Sequence, residues 1–257
     1  MPWRVRNFST FHVTFPFKRS VIILPSENIE LCTGAPQGCV LSPTLFTLFT
    51  HDCQSEQPGS LIIKFADNTT LVGLVTGNDE SGYRQQADKL FNWCENNSLV
   101  LNADKTKEMI NDFRRNKNFK EIMVVKDKIV ETVQSFKLLG TIISDDMKWQ
   151  QNSDSILRKA RQRIYFLRTL KSFRVNKNIL RSFYNAIIEN VLTFGIIIWF
   201  EGSADKDKQK LNSVIKNAAK ITGLSLPLLE EIYLKRKTSR ENKQDFKRQL
   251  SPRKRIL

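Results

Sequence analysis

Near residue 152 the hydrophobic pattern of this chain changes from a strand-like to a helix-like period. Before that point, two β-rich runs, Leu61–Phe65 and Thr70–Val75, are separated by a short polar stretch. After it, apolar residues recur at steps of three and four, at Leu157, Ala160, Ile164 and Leu167. The first pattern is typical of strands, and the second places side chains on one face of a helix. The sequence therefore predicts an α+β unit followed by a helical unit.

The polar stretch between the two β-rich runs, Ala66–Thr69, predicts the tip of a hairpin. An amphipathic helix is expected next, because apolar residues follow at helical spacing: Tyr83, Ala87, Leu90 and Cys94. The run Val40–Phe49 is also predicted to be helical. Pro43 would lie in its first turn, where the N–H that proline lacks has no intrahelical partner anyway.

Positive charge is in large excess: Lys and Arg number 41 and Asp and Glu 26, a formal net charge of +15. This favours a polyanionic partner, because a cation that contacts a phosphate releases condensed counterions. A basic surface without a dedicated ligand is the alternative, and a membrane surface is a weaker one. The most apolar stretch, Phe183–Phe200, contains Asn185, Glu189 and Asn190. Its continuous apolar part is shorter than the roughly 20 residues that span a bilayer. We therefore expect a buried helix or a buried helix–strand segment there, and no membrane partner.

The cysteines contain no C-x-x-C pair, and only His12 and His51 accompany them. This set argues against a structural zinc site and against a disulfide framework. The first residues lack the continuous apolar core of a signal peptide. We therefore expect an intracellular protein with reduced cysteines, in the nucleus or the cytoplasm.

The carboxyl-terminal part of the chain is predicted to form a short helical connection around Leu211–Tyr233 and then a basic tail. Residues Lys235–Leu257 contain ten Lys or Arg, only two acids and few large apolar groups. Such a composition buries too little apolar surface to order a chain, so we expect this tail to be frayed or disordered.

Four short motifs follow one another along the chain: GAPQG at 34–38, FADN at 65–68, LN with KTK over 101–107, and FKLLG at 136–140. In this order they resemble the motifs of LINE-type (non-LTR) retrotransposon reverse transcriptases, in the part of the protein that follows the first catalytic aspartate. The resemblance covers most of residues 30–200. It implies RNA-directed DNA polymerisation as the parent activity, with Mg²⁺ as cofactor and the RNA or DNA backbone as partner.

The resemblance also implies an organisation for the chain. Residues 1–145 would form a truncated reverse-transcriptase palm, residues 146–200 an α-helical thumb-like region, and residues 201–257 a helical connection and basic tail. Oligomeric state stays open.

Within the resemblance, Asp67 matches a residual catalytic and metal-ligating aspartate, and Asn68 stands where the family's hairpin has a second carboxylate. Nucleotidyl transfer uses two divalent ions held by carboxylate oxygens, and an amide binds such ions more weakly. Upstream of the GAPQG motif there is no Asp at all, since the first in the chain is Asp52. We therefore expect the strand with the first metal ligand to be missing and the chain to be an inactive pseudoenzyme. A turn residue is the plain alternative role for Asp67.

Further residues would contact nucleic acid if the resemblance holds. Glycine and proline allow a backbone to approach a nucleotide closely, and lysine or arginine can meet phosphates; for most of these residues ordinary solvation is the alternative. The expected contacts are Gly34, Pro36, Gln37, Gly38, Lys105, Lys137, Arg158 and Arg161.

A second resemblance leaves other functions open. Residues of about 147–173 are similar to the N-terminal region of the AlkB homologue eight family, which suggests a non-enzymatic helical interaction module. The activities of that family, 2-oxoglutarate dioxygenase and methyltransferase, are not supported. A non-haem iron site needs two histidines and a carboxylate, but His12 is followed by Val-Thr and no histidine follows His51. A pseudogene product without function is the remaining alternative.

Overall fold

The computed structural model describes residues 40–75, 79–112, 123–125 and 128–250. Its contacts divide the chain into two compact units, residues 1–136 and 137–257. The GAPQG motif with Gly34, Pro36, Gln37 and Gly38 lies outside the described residues, so its predicted role stays a prediction.

In its described part, unit 1 combines two helices with short strands. The strands β1 and β2 form an antiparallel hairpin; β3 pairs in parallel with β6, and β4 pairs antiparallel with β5. The bounds are α1 Ser42–Phe49, β1 Ser60–Phe65, β2 Asn68–Gly73, α2 Ser81–Asn96, β3 Lys107–Glu108, β4 Val124–Val125, β5 Lys128–Ile129 and β6 Glu131–Thr132. Mixed helices and small sheets agree with the predicted α+β class.

The core of unit 1 lies between the hairpin and α2. Leu71 of β2 is fully buried, and the predicted stripe of α2 is buried with it: Tyr83, Ala87, Leu90 and Cys94. Gly73 permits this close packing, because a Cβ there would lie 2.5 Å from Cδ2 of the Tyr83 ring. α1 also forms where predicted, with Pro43 in its first turn.

Unit 2 is mainly helical. It contains β7 and β8, which pair in a two-stranded sheet, followed by helices. The boundary between the units falls inside β7. The bounds are β7 Ser135–Leu138, β8 Thr141–Ser144, α3 Gln150–Ser172, α4 Lys177–Phe183, a π-helical segment Tyr184–Glu189, α5 Asn190–Leu192, α6 Ile196–Trp199, α7 Asp205–Thr222 and α8 Leu229–Leu250.

One hydrophobic core joins the helices of unit 2. The predicted stripe of α3 is buried in it, together with Tyr184 and Trp199 and with α7 and α8 residues such as Leu211 and Leu229. Residues on both sides of position 200 share this core, since α3 and α7 pack side by side.

The apolar segment Lys177–Trp199 is the one described segment long and apolar enough, by length and composition, to cross a membrane. It is not a regular helix, because it contains the π-helical segment and a break at Gly195, where φ is +59°. Arginines bind carbonyl oxygens at both irregularities: Arg163 Nη1 lies 2.5 Å from the Ile187 oxygen and Arg236 Nη1 2.6 Å from the Thr193 oxygen. About 33% of its apolar window is buried, and the buried residues, such as Tyr184, Ile188 and Trp199, belong to the core of unit 2.

Helix α8 differs from the tail that the sequence predicted. The helix runs from Leu229 to Leu250, although residues from Lys235 onward were expected to be frayed or disordered. Its first turns are anchored, since Leu229, Ile232 and Tyr233 are buried. Lys, Arg, Glu and Gln have good helix propensities, so a basic composition extends a helix whose start is fixed by packing.

Candidate active-site hairpin and nucleic-acid interface

The β1–β2 hairpin presents Asp67 in a two-residue turn. Phe65 pairs with Asn68, so only Ala66 and Asp67 lie outside the ladder. The tip is shorter than the predicted Ala66–Thr69 because Asn68 and Thr69 pair within β2. Ala66 has a φ of +52° and Asp67 has no positive φ, a combination that matches the φ signs of a type II′ turn. This left-handed residue turns the chain directly before the aspartate.

The donors at the hairpin tip do not fit a two-ion magnesium site. Asp67 and Asn68 are both half-buried, and they offer one carboxylate and one amide. Across the residues that the structure describes, no three or more His, Cys, Asp or Glu side chains are grouped to hold a metal. Hard cations of this kind prefer carboxylate oxygens, so Asn68 weakens the donor set that the resemblance implies.

Lys64 anchors the hairpin to the end of α1, a role that the sequence did not reveal. Its Nζ donates to the carbonyl oxygen of Thr50 and, at 2.9 Å, to that of Cys53. The nearby Cys53 side chain is buried, and burial raises the pKa of its thiol, an effect that Lys64 opposes. In the sequence, the feature that could have indicated this role is a lysine within the largely apolar strand β1.

The opposite face of β1 is apolar and exposed. Leu61, Ile63 and Phe65 alternate with the half-buried residues of the strand, and about half or more of each side chain is exposed. The hairpin therefore has one face packed on the core of unit 1, and on β1 the other face is apolar and largely accessible.

Lys105 lies in a turn that Asn102 organises. The Asn102 Oδ1 accepts from the Lys105 N–H at 3.1 Å, and its carbonyl oxygen accepts from Thr106 Oγ1 at 2.8 Å. Thr106 is buried and Lys105 is exposed. The motif thus presents the Lys105 side chain to solvent from a fixed backbone, rather than near a helix end.

The carboxylate after this motif is structural rather than a free metal ligand. Glu108 is 1% exposed and lies 3.4 Å from Arg84 Nη1, while Arg84 also pairs with Glu80 at 2.8 Å. Burial raises the pKa of Glu108, and the charge of Arg84 opposes that rise.

Lys137 is exposed on β7, next to a tight turn. Leu139 and Gly140 form that turn and have φ values of +46° and +93°. Two positive φ values in succession are typical of type I′ hairpins. The FKLLG motif therefore forms a hairpin whose lysine faces solvent.

Arg158 and Arg161 lie on the exposed side of α3, in unit 2. Together with Lys159 and Arg168 they form a set that we term the free cations. In the part of the chain that the structure describes, none of the four has a carboxylate within 4 Å. Lysines of α7 differ: Lys208 and Lys210 each pair with an aspartate three residues away.

Two aromatic residues of the same helix are exposed and were not predicted as site residues. Tyr165 is 67% and Phe166 55% exposed, and their rings meet edge to face with centroids 5.7 Å apart. We term them the aromatic pair. The signal in the sequence was that both lie off the apolar stripe of α3.

Comparison with known proteins gives two family matches. A family model described as "Reverse transcriptase (RNA-dependent DNA polymerase)" matches residues 4–143, which is more than half of the chain. A model described as "Alkylated DNA repair protein alkB homolog 8, N-terminal" matches residues 149–190, from the residue before α3 through the π-helical segment to the first residue of α5.

Two Drosophila melanogaster proteins are similar over most of the chain. The RNA-directed DNA polymerase from mobile element jockey is 24% identical over 204 residues, covering 74% of this chain and 21% of that protein. The probable RNA-directed DNA polymerase from transposon BS is 24% identical over 200 residues, covering 72% and 22%. The chain thus spans about a fifth of the length of these curated relatives. No solved structure matches.

Proposed function

The chain belongs to the reverse transcriptase (RNA-dependent DNA polymerase) family, and on that premise we propose that it binds nucleic acid without polymerising DNA. We assign it to the LINE-type (non-LTR) branch, because relatives from mobile elements match over most of its length. Unit 1 would be a partial palm, and the helices of unit 2 a thumb-like region.

The observation that carries the proposed loss of polymerase activity is Asn68, the first residue of β2, directly after Asp67 of the hairpin tip. Phosphoryl transfer by two metal ions needs carboxylates that neutralise both ions and fix their separation. An amide removes one negative charge from the position next to Asp67. It also replaces an anionic oxygen with a neutral one, and a hard cation binds that oxygen more weakly. Asp67 therefore remains mainly as a turn residue that Ala66 positions.

Nucleic-acid binding is supported by the free cations. They are exposed on one helix without acidic partners in the described part of the chain, and the chain carries a net charge of +15. Exposed cations without partners gain from neutralising phosphates because condensed counterions are released. Lys105 and Lys137 add two further exposed cations, one in each unit.

Primer extension tests this proposal. The purified full chain, the Asn68→Asp variant and an Asp67→Asn control are incubated with an RNA template, a DNA primer, deoxynucleotides and Mg²⁺ or Mn²⁺. We expect no extension by the native chain and salt-sensitive retention of the same primer–template on a filter. Extension by Asn68→Asp alone would identify Asn68 as the decisive loss. Extension by the native chain that Asp67→Asn abolishes would refute the proposed inactivity.

A second candidate function rests on the other family match. Residues 149–190 match the N-terminal model of the alkylated DNA repair protein, and they form α3, α4 and the π-helical segment of unit 2. This favours a helical interaction module. In the extension experiment, a folded chain that retains no nucleic acid at any salt concentration would favour this module over the proposed function.

A further inference from the structure

The aromatic pair is exposed on a helix whose opposite face already fills the core of unit 2. Ile164 and Leu167, the neighbours in sequence, are at most 4% exposed, whereas Tyr165 and Phe166 are more than half exposed. The two rings are therefore not needed for the packing of α3. Their mutual edge-to-face contact at 5.7 Å holds them in one arrangement on the surface.

The free cations surround this pair along the helix. Arg158 precedes Tyr165 by seven residues, or two turns, so it lies on nearly the same side of the helix about 10 Å away. Lys159 stands in the same relation to Phe166, and Arg161 lies one turn before Tyr165. Arg168 follows within one turn. One extended polymer bound along α3 could therefore contact the rings and the cations on both sides of them.

The composition of this face favours nucleic acid over a partner helix. A partner helix would need apolar residues one and two turns from Tyr165, where the chain has Arg158, Arg161 and Thr169 instead. Phe173, two turns after Phe166 and 73% exposed, adds one further exposed ring to this face rather than an aliphatic stripe. Phosphates would meet the arginines, and base faces would meet the rings. Base–aromatic stacking requires an unpaired base, whereas the bases of a duplex are already stacked on one another.

We propose that the aromatic pair is a stacking platform for unpaired bases of single-stranded RNA or DNA, with phosphates held by the free cations. This inference rests on the proposed nucleic-acid binding and specifies its substrate class. Readout is tolerant of sequence, because every base has a π-face. Two interactions then contribute to the affinity: stacking on the rings, which requires bases, and contact with phosphates, which weakens as salt increases.

The test compares two probes that differ only in their bases. A fluorescein-labelled oligouridylate of about 15 nucleotides, within the usual range for one site, and an abasic oligomer of the same length are titrated with the full chain. The double variant Tyr165→Ala/Phe166→Ala is compared with Leu234→Ala, which truncates an apolar side chain that is 60% exposed on α8. Circular dichroism checks that every variant is folded.

We expect the double variant to bind oligouridylate about tenfold or more weakly, to bind the abasic oligomer as the native chain does, and to keep the native salt dependence. Leu234→Ala should bind both probes normally. The variant Arg158→Ala/Arg161→Ala should weaken both probes and lower the slope of log affinity against log salt by roughly 1.4.

Three results would overturn the platform. The first is an equal loss of affinity for both probes in the double variant, and the second is no loss for either probe. The third is changed self-association in sedimentation with unchanged affinity, which would make this face a protein contact. If the native chain binds neither probe, the proposed function fails first, and this outcome is distinct from intact binding that ignores the aromatic pair.

Discussion

Ala66 concentrates the backbone strain of the candidate hairpin in one residue. At a φ of +52° the Cβ of an L-amino acid crowds its own backbone, at a cost of roughly 1–2 kcal/mol. Glycine avoids that cost because it has no Cβ. The strain lies directly before Asp67, and strained backbone is often found at functional sites. Under the proposed function, Ala66 positions the residual aspartate of this hairpin.

The change Ala66→Gly should raise the free energy of unfolding by up to about 1 kcal/mol, because relief of strain outweighs the added freedom of glycine in the unfolded chain. Urea denaturation measures the effect. Ala186→Gly, at an exposed position of the π-helical segment, should instead lower stability by about 0.5–1 kcal/mol. Equal losses at both positions would show that Ala66 is unstrained.

At the scale of elements, the sequence predicted those parts whose pattern is local. The apolar stripes of α2 and α3 were predicted residue by residue, because a helix with one buried face has apolar residues that recur at the helical period. The sequence also predicted α1, with Pro43 in its first turn, and the polar tip predicted the β1–β2 hairpin. The predicted tip was two residues too long, since pairing with Phe65 draws Asn68 into the strand.

Elements that depend on distant residues were not predictable in this way. The break before Gly195 leaves a carbonyl at Thr193 that Arg236 satisfies from 43 residues away. In the π-helical segment, the carbonyl oxygen of Ile187 likewise accepts a hydrogen bond from Arg163 of α3. Of the candidate site, Asp67 was predicted from the FADN motif, and Arg158 and Arg161 were predicted from the basic character of their helix. The aromatic pair became apparent only once the burial of its neighbours was known.

The β7–β8 turn gives an element-scale prediction. Gly140 has a φ of +93°, and a Cβ there would lie 2.9 Å from the Phe194 ring. Gly140→Ala should therefore lower the free energy of unfolding by about 1–3 kcal/mol. Gly82→Ala is the matched control, because nothing lies within 4 Å of its Cβ position, and alanine in α2 should stabilise by up to about 1 kcal/mol. Thermal unfolding that ranks the two variants the other way would contradict the turn geometry.

At the scale of the whole molecule, the two units differ in the size of their hydrophobic cores. Unit 2 has a cluster of 19 buried apolar residues and unit 1 a cluster of 9 among those described. The stacking platform, the free cations and the match to the alkylated DNA repair model all lie in unit 2, while the candidate hairpin lies in unit 1. The proposed binding surface on α3 and the hairpin that carries Asp67 therefore lie in different units, so the proposed binding and the proposed loss of extension can be tested separately.

We expect residues 134–257, which keep β7 and all of unit 2, to fold alone and to unfold cooperatively. The fragment retains every member of the larger cluster, including Trp149 and Trp199, whose fluorescence reports unfolding. Leu211→Ala, at a fully buried position, should lower its free energy of unfolding by about 2–5 kcal/mol. Leu234→Ala, at an exposed one, should change it by no more than about 0.5 kcal/mol. A non-cooperative transition, or equal effects of the two changes, would mean that this core does not form without the residues before it.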